Sequence, residues 1–251
     1  MPFTLFHVAA VLPWLRSRKT CFSATGLIIG SIAPDFEKFL RLGLHNRHSH
    51  TWTSILYFSC PVSLGLAFLF HWVVRNPLIA HLPRFLRQRL ARFRGGDWGW
   101  YFRRHYGVVL LSIILGAATH LVWDSFTHRK GQLVLYLPVL TTRLRIGPFS
   151  PAVFMVLAVL TSALGAGLLL RFGWRLPQTA VAAVPAGAMG RYWLLVSGTA
   201  LTLLLLRLRL ASFALDDFDT LITALSAAML GVVVASMYSR LNPLPRLSDA
   251  G

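Results

Sequence analysis

Histidine and acidic side chains gather in two stretches of this chain. Six of the nine histidines and three of the eight acidic residues lie between residues 7 and 50 or between residues 120 and 128. They are His7, Asp35, Glu37, His45, His48, His50, His120, Asp124 and His128. Imidazole and carboxylate groups are common protein ligands of Zn²⁺. Their concentration here predicts a metal site, provided that the fold brings the two stretches together.

The spacing His120-x-x-x-Asp124-x-x-x-His128 places three such side chains on one face of a helix. Successive members are four residues apart and drift by only about 40° around the helix axis. An imidazole and a carboxylate on one face form a metal-ligand arrangement. Two other interpretations of His120 and Asp124 stay open: a buried pair that holds helices together, and a proton relay.

The N-terminal candidates lie on short segments. Pro34 fixes a turn from which Asp35 can project. His45, His48 and His50 follow one another closely, just before a long apolar run. His45 and His48 fit solvated loop residues as well as they fit metal ligands.

Long apolar runs must carry these residues. The chain has 251 residues, of which 55% are hydrophobic and only 13% are charged, about half the charge of a soluble domain. A helix that crosses the hydrocarbon core needs about 20 apolar residues. The predicted spans are residues 54–74, 107–126, 149–170, 193–206 and 220–238.

These runs predict an all-α fold, a polytopic membrane helical bundle with about five transmembrane helices. We expect a single membrane domain over residues 1–251. Residues 1–53 form an N-terminal segment, residues 54–128 form a helical hairpin with an Arg-rich loop at 75–106, and residues 149–238 hold three further spans. The apolar stretches 2–15 and 21–32 are too short to span, so we expect interfacial or re-entrant helices packed on the bundle.

Span alternation brings the two histidine-containing stretches to one side of the membrane. His50 precedes the first span, and His120 and Asp124 lie near the end of the second. The Arg-rich loop lies on the opposite side, and its arginine density favours the cytoplasm for that side. Its eight arginines and interleaved aromatic residues predict an amphipathic segment on the headgroups.

The net charge of the whole chain also indicates contact with lipid. The formal net charge is +17, which suits anionic headgroups, and membrane lipids are therefore the expected partners. No nucleic-acid partner is expected, because no reading module is recognisable. A second acidic group, Asp216, Asp217 and Asp219, is predicted to form salt bridges with Arg207 and Arg209.

The order of motifs resembles a bacterial membrane family described as a domain of unknown function, family 4184. The resemblance runs from residue 1 to about residue 240. It rests on Met1-Pro2-Phe3-Thr4 with His7, on the stretch from Gly30 through Pro34-Asp35 to Glu37, on Ser49-His50, and on His120-x-x-x-Asp124. The chain is also similar to YdjM-type inner-membrane proteins, labelled metal-dependent hydrolases, through the Pro-Asp turn, the His45-x4-His50 spacing and Gly131. A more distant likeness is to zinc-dependent phospholipase C and related zinc nucleases.

These resemblances imply a multi-pass protein of the bacterial inner membrane that binds one or two Zn²⁺, or another divalent metal. The implied ligands are His7, Asp35, His50, His120 and Asp124, with His128 as a further one. A third metal is not expected, since no late His-x-x-x-Glu pair follows residue 131.

The chemistry implied for such a site is hydrolysis of a phosphoester in a lipid-borne substrate. Asp35 or Glu37 is expected to orient or deprotonate the water, one of them bridging metals. Arg41, Arg47, Arg129 and Lys130 are expected to hold phosphate. Two other classes stay open, a non-catalytic scaffold with a structural metal and a transporter that uses a His–Asp proton relay.

Overall fold

Helices dominate the computed structural model, which describes residues 4–16, 21–44, 47–210 and 216–243. The helices of these residues are α1 Val8–Arg16, α2 Ala24–Ile32, α3 Phe36–Arg41, α4 Ile55–His81, α5 Arg84–Leu90, α6 Trp98–Thr127, α7 Gln132–Tyr136, α8 Pro138–Thr141, α9 Val153–Trp174, α10 Ala186–Leu210 and α11 Asp217–Leu241. Single 3₁₀ turns at Thr4–His7, Ala33–Asp35 and Ala91–Phe93 join them. The described chain contains isolated β-bridges only and no strand.

Five of these helical stretches are long and apolar enough to cross a membrane. They are α4, the stretch Trp98–Tyr136 that starts with α6, α9, α10 and α11. The prediction of an all-α polytopic membrane protein with five spans is therefore confirmed. The helices extend beyond the apolar runs at one or both ends, because backbone hydrogen bonding continues through residues that are not apolar. Thus α10 begins at Ala186, well before the predicted start at residue 193.

Helix α4 accommodates two prolines through changes in its hydrogen bonding. It contains π-helical turns at Ile55–Ser59 and Phe70–Val74, each just before a proline, Pro61 or Pro77. A proline inside a helix removes one donor and clashes with the carbonyl four residues earlier. A wider turn relieves that clash, and such turns are frequent at functional sites.

The chain forms two compact units, each assembled from separate segments. The first contains residues 1–37, 46–67 and 101–175. In it, α2 runs beside α6 in the same direction at very short range. A Cβ on Gly30 would lie 2.4 Å from the Ile113 carbonyl oxygen, and one on Gly116 would lie 2.4 Å from that of Leu27. With nine residues, α2 is too short to span, and its packing along a spanning helix fits the re-entrant alternative.

The second unit contains residues 38–45, 68–100 and 176–251. Its longest helices, α10 and α11, approach closely where Gly231 faces the backbone of Val196. At the start of α11, Asp216 accepts a hydrogen bond from the backbone N–H of Asp219 at 2.6 Å. Asp219 accepts one from Leu44 N–H at 2.8 Å.

The predicted salt bridges of this second acidic group are wrong. Within the described chain no ion pair joins Asp216, Asp217 or Asp219 to Arg207 or Arg209. Helix N-termini attract carboxylates because their first N–H groups lack helical partners. Asp216 meets that demand in α11, and Asp219 fixes the chain segment at residue 44.

The Arg-rich segment is only partly a surface element. Phe85 and Phe93 are about half exposed, as expected for a segment on headgroups. Arg87 and Arg89 are buried instead. They donate to the carbonyl oxygens of Ala80 and Phe85, at 3.3 and 3.0 Å. Arg87 thereby satisfies a carbonyl at the end of α4, where helical partners are lacking, and Arg89 bonds a carbonyl of its own helix, so these two charges serve the local fold.

Candidate metal centre

Six of the predicted ligands meet inside the first unit. The turn before α1 carries His7, the turn after α2 carries Asp35, and the loop before α4 carries His50. Helix α6 carries His120 and Asp124, and His128 follows its last residue. His128 N–H still bonds the Asp124 carbonyl at 3.1 Å, so the last helical turn persists to His128 and keeps its ring on the shared face.

Asp124 lies at the middle of the cluster and uses its two oxygens differently. Oδ2 is 3.4 Å from His120 Nε2 and 3.5 Å from His50 Nε2. Oδ1 is 3.1 Å from His128 Nδ1 and 3.5 Å from His7 Nε2. Each oxygen of one carboxylate therefore faces its own pair of imidazoles.

Asp35 adds a second carboxylate on the Oδ2 side of Asp124. Its Oδ1 is 3.3 Å from His50 Nε2 and 3.8 Å from His120 Nε2. Two overlapping sets, His7 with Asp35 and His120, and His50 with His120 and Asp124, each offer ligand atoms within 4.8 Å of one another.

These separations fit a metal ion. Ligand atoms at about 2.0–2.1 Å from a tetrahedral Zn²⁺ lie about 3.4 Å from one another. Four distances among His50, His120, Asp35 and Asp124 span 3.3 to 3.8 Å. The donor set of imidazole nitrogens and carboxylate oxygens is also the one that Zn²⁺ prefers.

The burial of these side chains also favours a bound metal ion, because unsatisfied polar atoms are costly in a protein interior. His7 is 2% exposed and His120 is fully buried. His7 Nδ1, His120 Nε2 and Asp124 Oδ1 have no hydrogen-bond partner in the described chain. The ion-pair contacts of His120 Nε2 and Asp124 Oδ1, at 3.1 to 3.8 Å, are not hydrogen bonds. Each unsatisfied buried polar atom costs about 1–3 kcal/mol. A divalent cation would use the orphaned His120 and Asp124 atoms as ligands.

Polar groups behind the cluster orient its side chains. The Ser31 carbonyl oxygen accepts a hydrogen bond from His120 Nδ1 at 2.8 Å, which leaves the Nε2 lone pair directed at the cluster. Thr4 Oγ1 donates to Asp35 Oδ2 at 2.5 Å. Ser49 Oγ is 2.8 Å from His50 Nδ1. Such outer contacts fix the tautomer and ring orientation of ligating histidines.

His7 is held in its neutral form. Burial, followed by the neighbouring His120, lowers the pKa of His7 from 6.5 to about 3, against the opposing effect of Asp124 and Asp35. A neutral imidazole is the form that binds metal. His7 and His120 also stack, with ring centroids 3.8 Å apart.

Glu37 does not have the geometry expected of a water-activating residue. Its Oε1 accepts from Arg47 N–H at 3.0 Å, and Oε2 accepts from the N–H groups of His48 and Ser49 at 3.0 and 2.8 Å. Burial opposes ionisation, but these bonds prevail and lower the pKa of Glu37 from 4.5 to about 2. The carboxylate anchors the loop that carries His50, and a catalytic or metal-bridging role of Glu37 stays a prediction.

The remaining candidates lie at the periphery or outside the described residues. His48 is exposed, and its backbone carbonyl accepts from the Tyr57 hydroxyl at 2.8 Å. Arg47, Arg129 and Lys130 are also exposed, and their contact with a substrate stays a prediction. His45 lies outside the described residues.

The sequence interpretation missed Thr4, Ser31 and Ser49 as orienting groups. Thr4 and Ser49 stand close in sequence to the ligands His7 and His50, and a small hydroxyl residue near a ligand is a usable signal for an outer contact. Ser31 acts through its backbone carbonyl, so its residue type carried no signal.

Comparison with known proteins identifies the family. A family model described as a domain of unknown function (DUF4184) matches residues 1–237, and the chain belongs to this family. No curated protein and no solved structure matches the chain. The likeness to YdjM-type proteins and to zinc-dependent phospholipase C, and the bacterial inner membrane as location, stay predictions from motif order.

Proposed function

We propose that this member of the DUF4184 family is a membrane-bound, metal-dependent hydrolase that acts on a phosphoester. The observation that carries the proposal is the arrangement around Asp124, where four imidazoles and a second carboxylate converge on one buried carboxylate. Buried ionisable groups of this density are costly in an apolar helical protein and mark functional sites.

The two oxygens of Asp124 suit a carboxylate that bridges two divalent ions. His50, His120 and Asp35 would hold one ion with Asp124 Oδ2, and His7 and His128 would hold the other with Oδ1. We therefore propose Asp124 for the bridging role that was expected of Asp35 or Glu37 on sequence grounds. Zn²⁺ is the metal that the donor set favours, although another divalent ion would accept the same groups.

Zn²⁺ in such a site lowers the pKa of a bound water to about 7 and polarises a phosphoryl oxygen. The protein groups define where a substrate enters. The side chains of His50 and His128 are 22% and 31% exposed, whereas those of His7 and His120 are at most 2% exposed. A substrate therefore approaches from the His50 and His128 side, and Asp35, whose Oδ1 is 3.3 Å from His50 Nε2, is the carboxylate that we propose orients the water.

The substrate class follows from the surroundings of this entrance. Arg129 and Lys130 are exposed and directly follow His128, so they can pair with a phosphate near the opening. His120 and Asp124 belong to a helix long and apolar enough to span. A phosphoester whose alcohol or acyl portion remains in lipid satisfies both conditions.

Metal content is the first test, and the chain offers a matched pair of variants. Zinc is measured by mass spectrometry after dialysis of detergent-purified protein. We expect His50→Ala to lower bound zinc and His48→Ala, two residues away and exposed, to leave it unchanged. Asp124→Asn is expected to lose both ions. Wild-type levels of zinc in Asp124→Asn would refute the metal centre.

Hydrolysis is the second test. Mixed micelles that contain phosphatidic acid or phosphatidylglycerol are incubated with the protein, and released phosphate and glycerophosphate are quantified. We expect release that a chelator abolishes and added zinc restores. Full zinc occupancy without release from either lipid would favour the scaffold alternative, in which a structural metal is closed by four protein ligands.

A further inference from the structure

A small cavity lies where three long helices of the second unit end or begin. It has a volume of about 120 Å³ and lies between the last residue of α4, the first turns of α10 and the last turn of α11. Its polar lining consists of His81, Arg191, Tyr192, Tyr238, Ser239 and Asn242. None of these residues belongs to the metal centre.

His81 is the deepest polar residue of this cavity and is held rigidly. It is 3% exposed, and its Nδ1 donates to the Pro77 carbonyl at 2.8 Å. Its ring stacks on Tyr192 with centroids 4.5 Å apart, and its own carbonyl accepts from Trp193 Nε1 at 2.8 Å. Among the described residues Nε2 has no hydrogen-bond partner, and this 97% buried residue lines the cavity.

The charge around the cavity is positive. Arg191 lines it, and no carboxylate does. In the described chain Arg191 has no ion-pair partner. Tyr238 and Ser239 add hydroxyl groups. A guanidinium group with nearby hydroxyls matches the oxygens of an anion, and arginine suits phosphate in particular.

The volume and the position of the cavity also indicate which ligand it could bind. A volume of about 120 Å³ is well above the ~30 Å³ that one water occupies in the liquid, so the cavity has room for a phosphate group. The cavity lies at the ends of helices that are long enough to span, where anionic headgroups are found.

We propose that this cavity binds the phosphate group of an anionic ligand, with Arg191 as the charge partner and His81 as a buried contact that donates through Nε2–H when the ring carries both protons. The phosphate belongs to a lipid headgroup or to a soluble phosphate compound. The site is independent of hydrolysis, because its lining contains a single imidazole and no acidic residue. Phosphate bound there is held and not cleaved.

The test uses the full-length protein in detergent, titrated in a calorimeter with dioctanoyl phosphatidylglycerol and, separately, with inorganic phosphate. Arg191→Gln removes the charge at an exposed position, and His81→Phe keeps the aromatic stack but removes the nitrogen. Arg209→Gln is the matched control, because it removes an exposed charge from the other end of the same helix. Melting temperatures establish that each variant is folded.

We expect Arg191→Gln to weaken binding about tenfold or more, as loss of a charge-assisted hydrogen bond does, and Arg209→Gln to change it less than about twofold. Binding of the lipid alone identifies a headgroup site. Binding of inorganic phosphate, with competition against the lipid, identifies a site for the phosphate group itself. Equal effects of Arg191→Gln and Arg209→Gln, or no binding of either probe, would overturn the proposal. Binding that His50→Ala abolishes and Arg191→Gln leaves intact would also overturn it, because the ligand would then lie at the metal centre.

Discussion

Glu37→Gln separates the role of Glu37 in positioning His50 from a role in catalysis. In the wild type, one buried carboxylate accepts three backbone N–H groups from residues 47–49 at 2.8 to 3.0 Å. Glutamine has the same shape, but it has one acceptor oxygen and an NH₂ group in place of the second oxygen. That NH₂ group would face an N–H donor, so at least one bond is lost and the others lose their charge assistance.

The size of the effect follows from these bonds. A hydrogen bond to a charged group contributes about 1.5–3 kcal/mol, and an unsatisfied buried donor costs a similar amount. We expect Glu37→Gln to lower the free energy of unfolding by about 2–3 kcal/mol. Because the affected loop carries His50, zinc affinity should fall by about 10- to 100-fold, as for other outer-shell residues.

The assay is zinc competition against a fluorescent chelator, run beside thermal melting and the hydrolysis assay. Asp97→Asn is the matched control, since Asp97 is an exposed carboxylate that accepts a single backbone N–H, from Trp100 at 3.0 Å. It removes the same charge and should leave zinc affinity unchanged. Unchanged zinc affinity in Glu37→Gln, combined with loss of hydrolysis, would refute the positioning role and restore the catalytic role predicted from sequence.

Three further outcomes are expected. Gly116→Ala should lower the free energy of unfolding by about 1–3 kcal/mol or more, because its Cβ would meet the Leu27 carbonyl at 2.4 Å. The control Gly167→Ala, whose Cβ meets nothing within 4 Å, should be neutral or stabilising. Equal melting temperatures of the two variants would contradict the close packing of α2 on α6. Thr4→Val should weaken zinc binding about tenfold in the same competition assay, since Asp35 loses the hydroxyl that donates to its Oδ2; wild-type affinity would show that this bond does not orient Asp35. Chelation should lower the melting temperature of the wild type, because zinc at about 1,000 times its Kd stabilises the folded protein by about 4 kcal/mol. The melting temperature of Asp124→Asn should not change on chelation. An equal change in both proteins would argue against metal at Asp124.

The helical spans could be predicted from sequence because lipid imposes a simple requirement. Backbone groups in hydrocarbon must be satisfied within the segment, so the length and charge of a run decide whether it spans. The common face of His120, Asp124 and His128 follows from helix geometry alone. Their neighbourhood to His50 follows from the alternation of spans.

Run length and helix periodicity do not predict the direction of a side chain near a turn. Asp35 and Glu37 are two residues apart, and at 100° per residue they point about 200° apart when the backbone is helical. One carboxylate faces the histidines and the other faces the loop at 47–49. The two carboxylates look equivalent in the sequence, because the sequence does not show where the turn Ala33–Asp35 ends and α3 begins.

The sequence by itself determined a helical membrane protein and the set of residues able to hold a metal, since run length and local helix geometry are properties of neighbouring residues. Only the tertiary structure decided that Asp124 has two differently surrounded oxygens, that Thr4 and Ser31 orient the ligands, and that His81 stacks on Tyr192. The contacts of Thr4, Ser31 and His81 join residues 31, 89 and 111 positions apart, and two of the four imidazoles around Asp124, those of His7 and His50, come from distant segments. They depend on how closely helices approach, which packing between distant segments sets and local spacing does not.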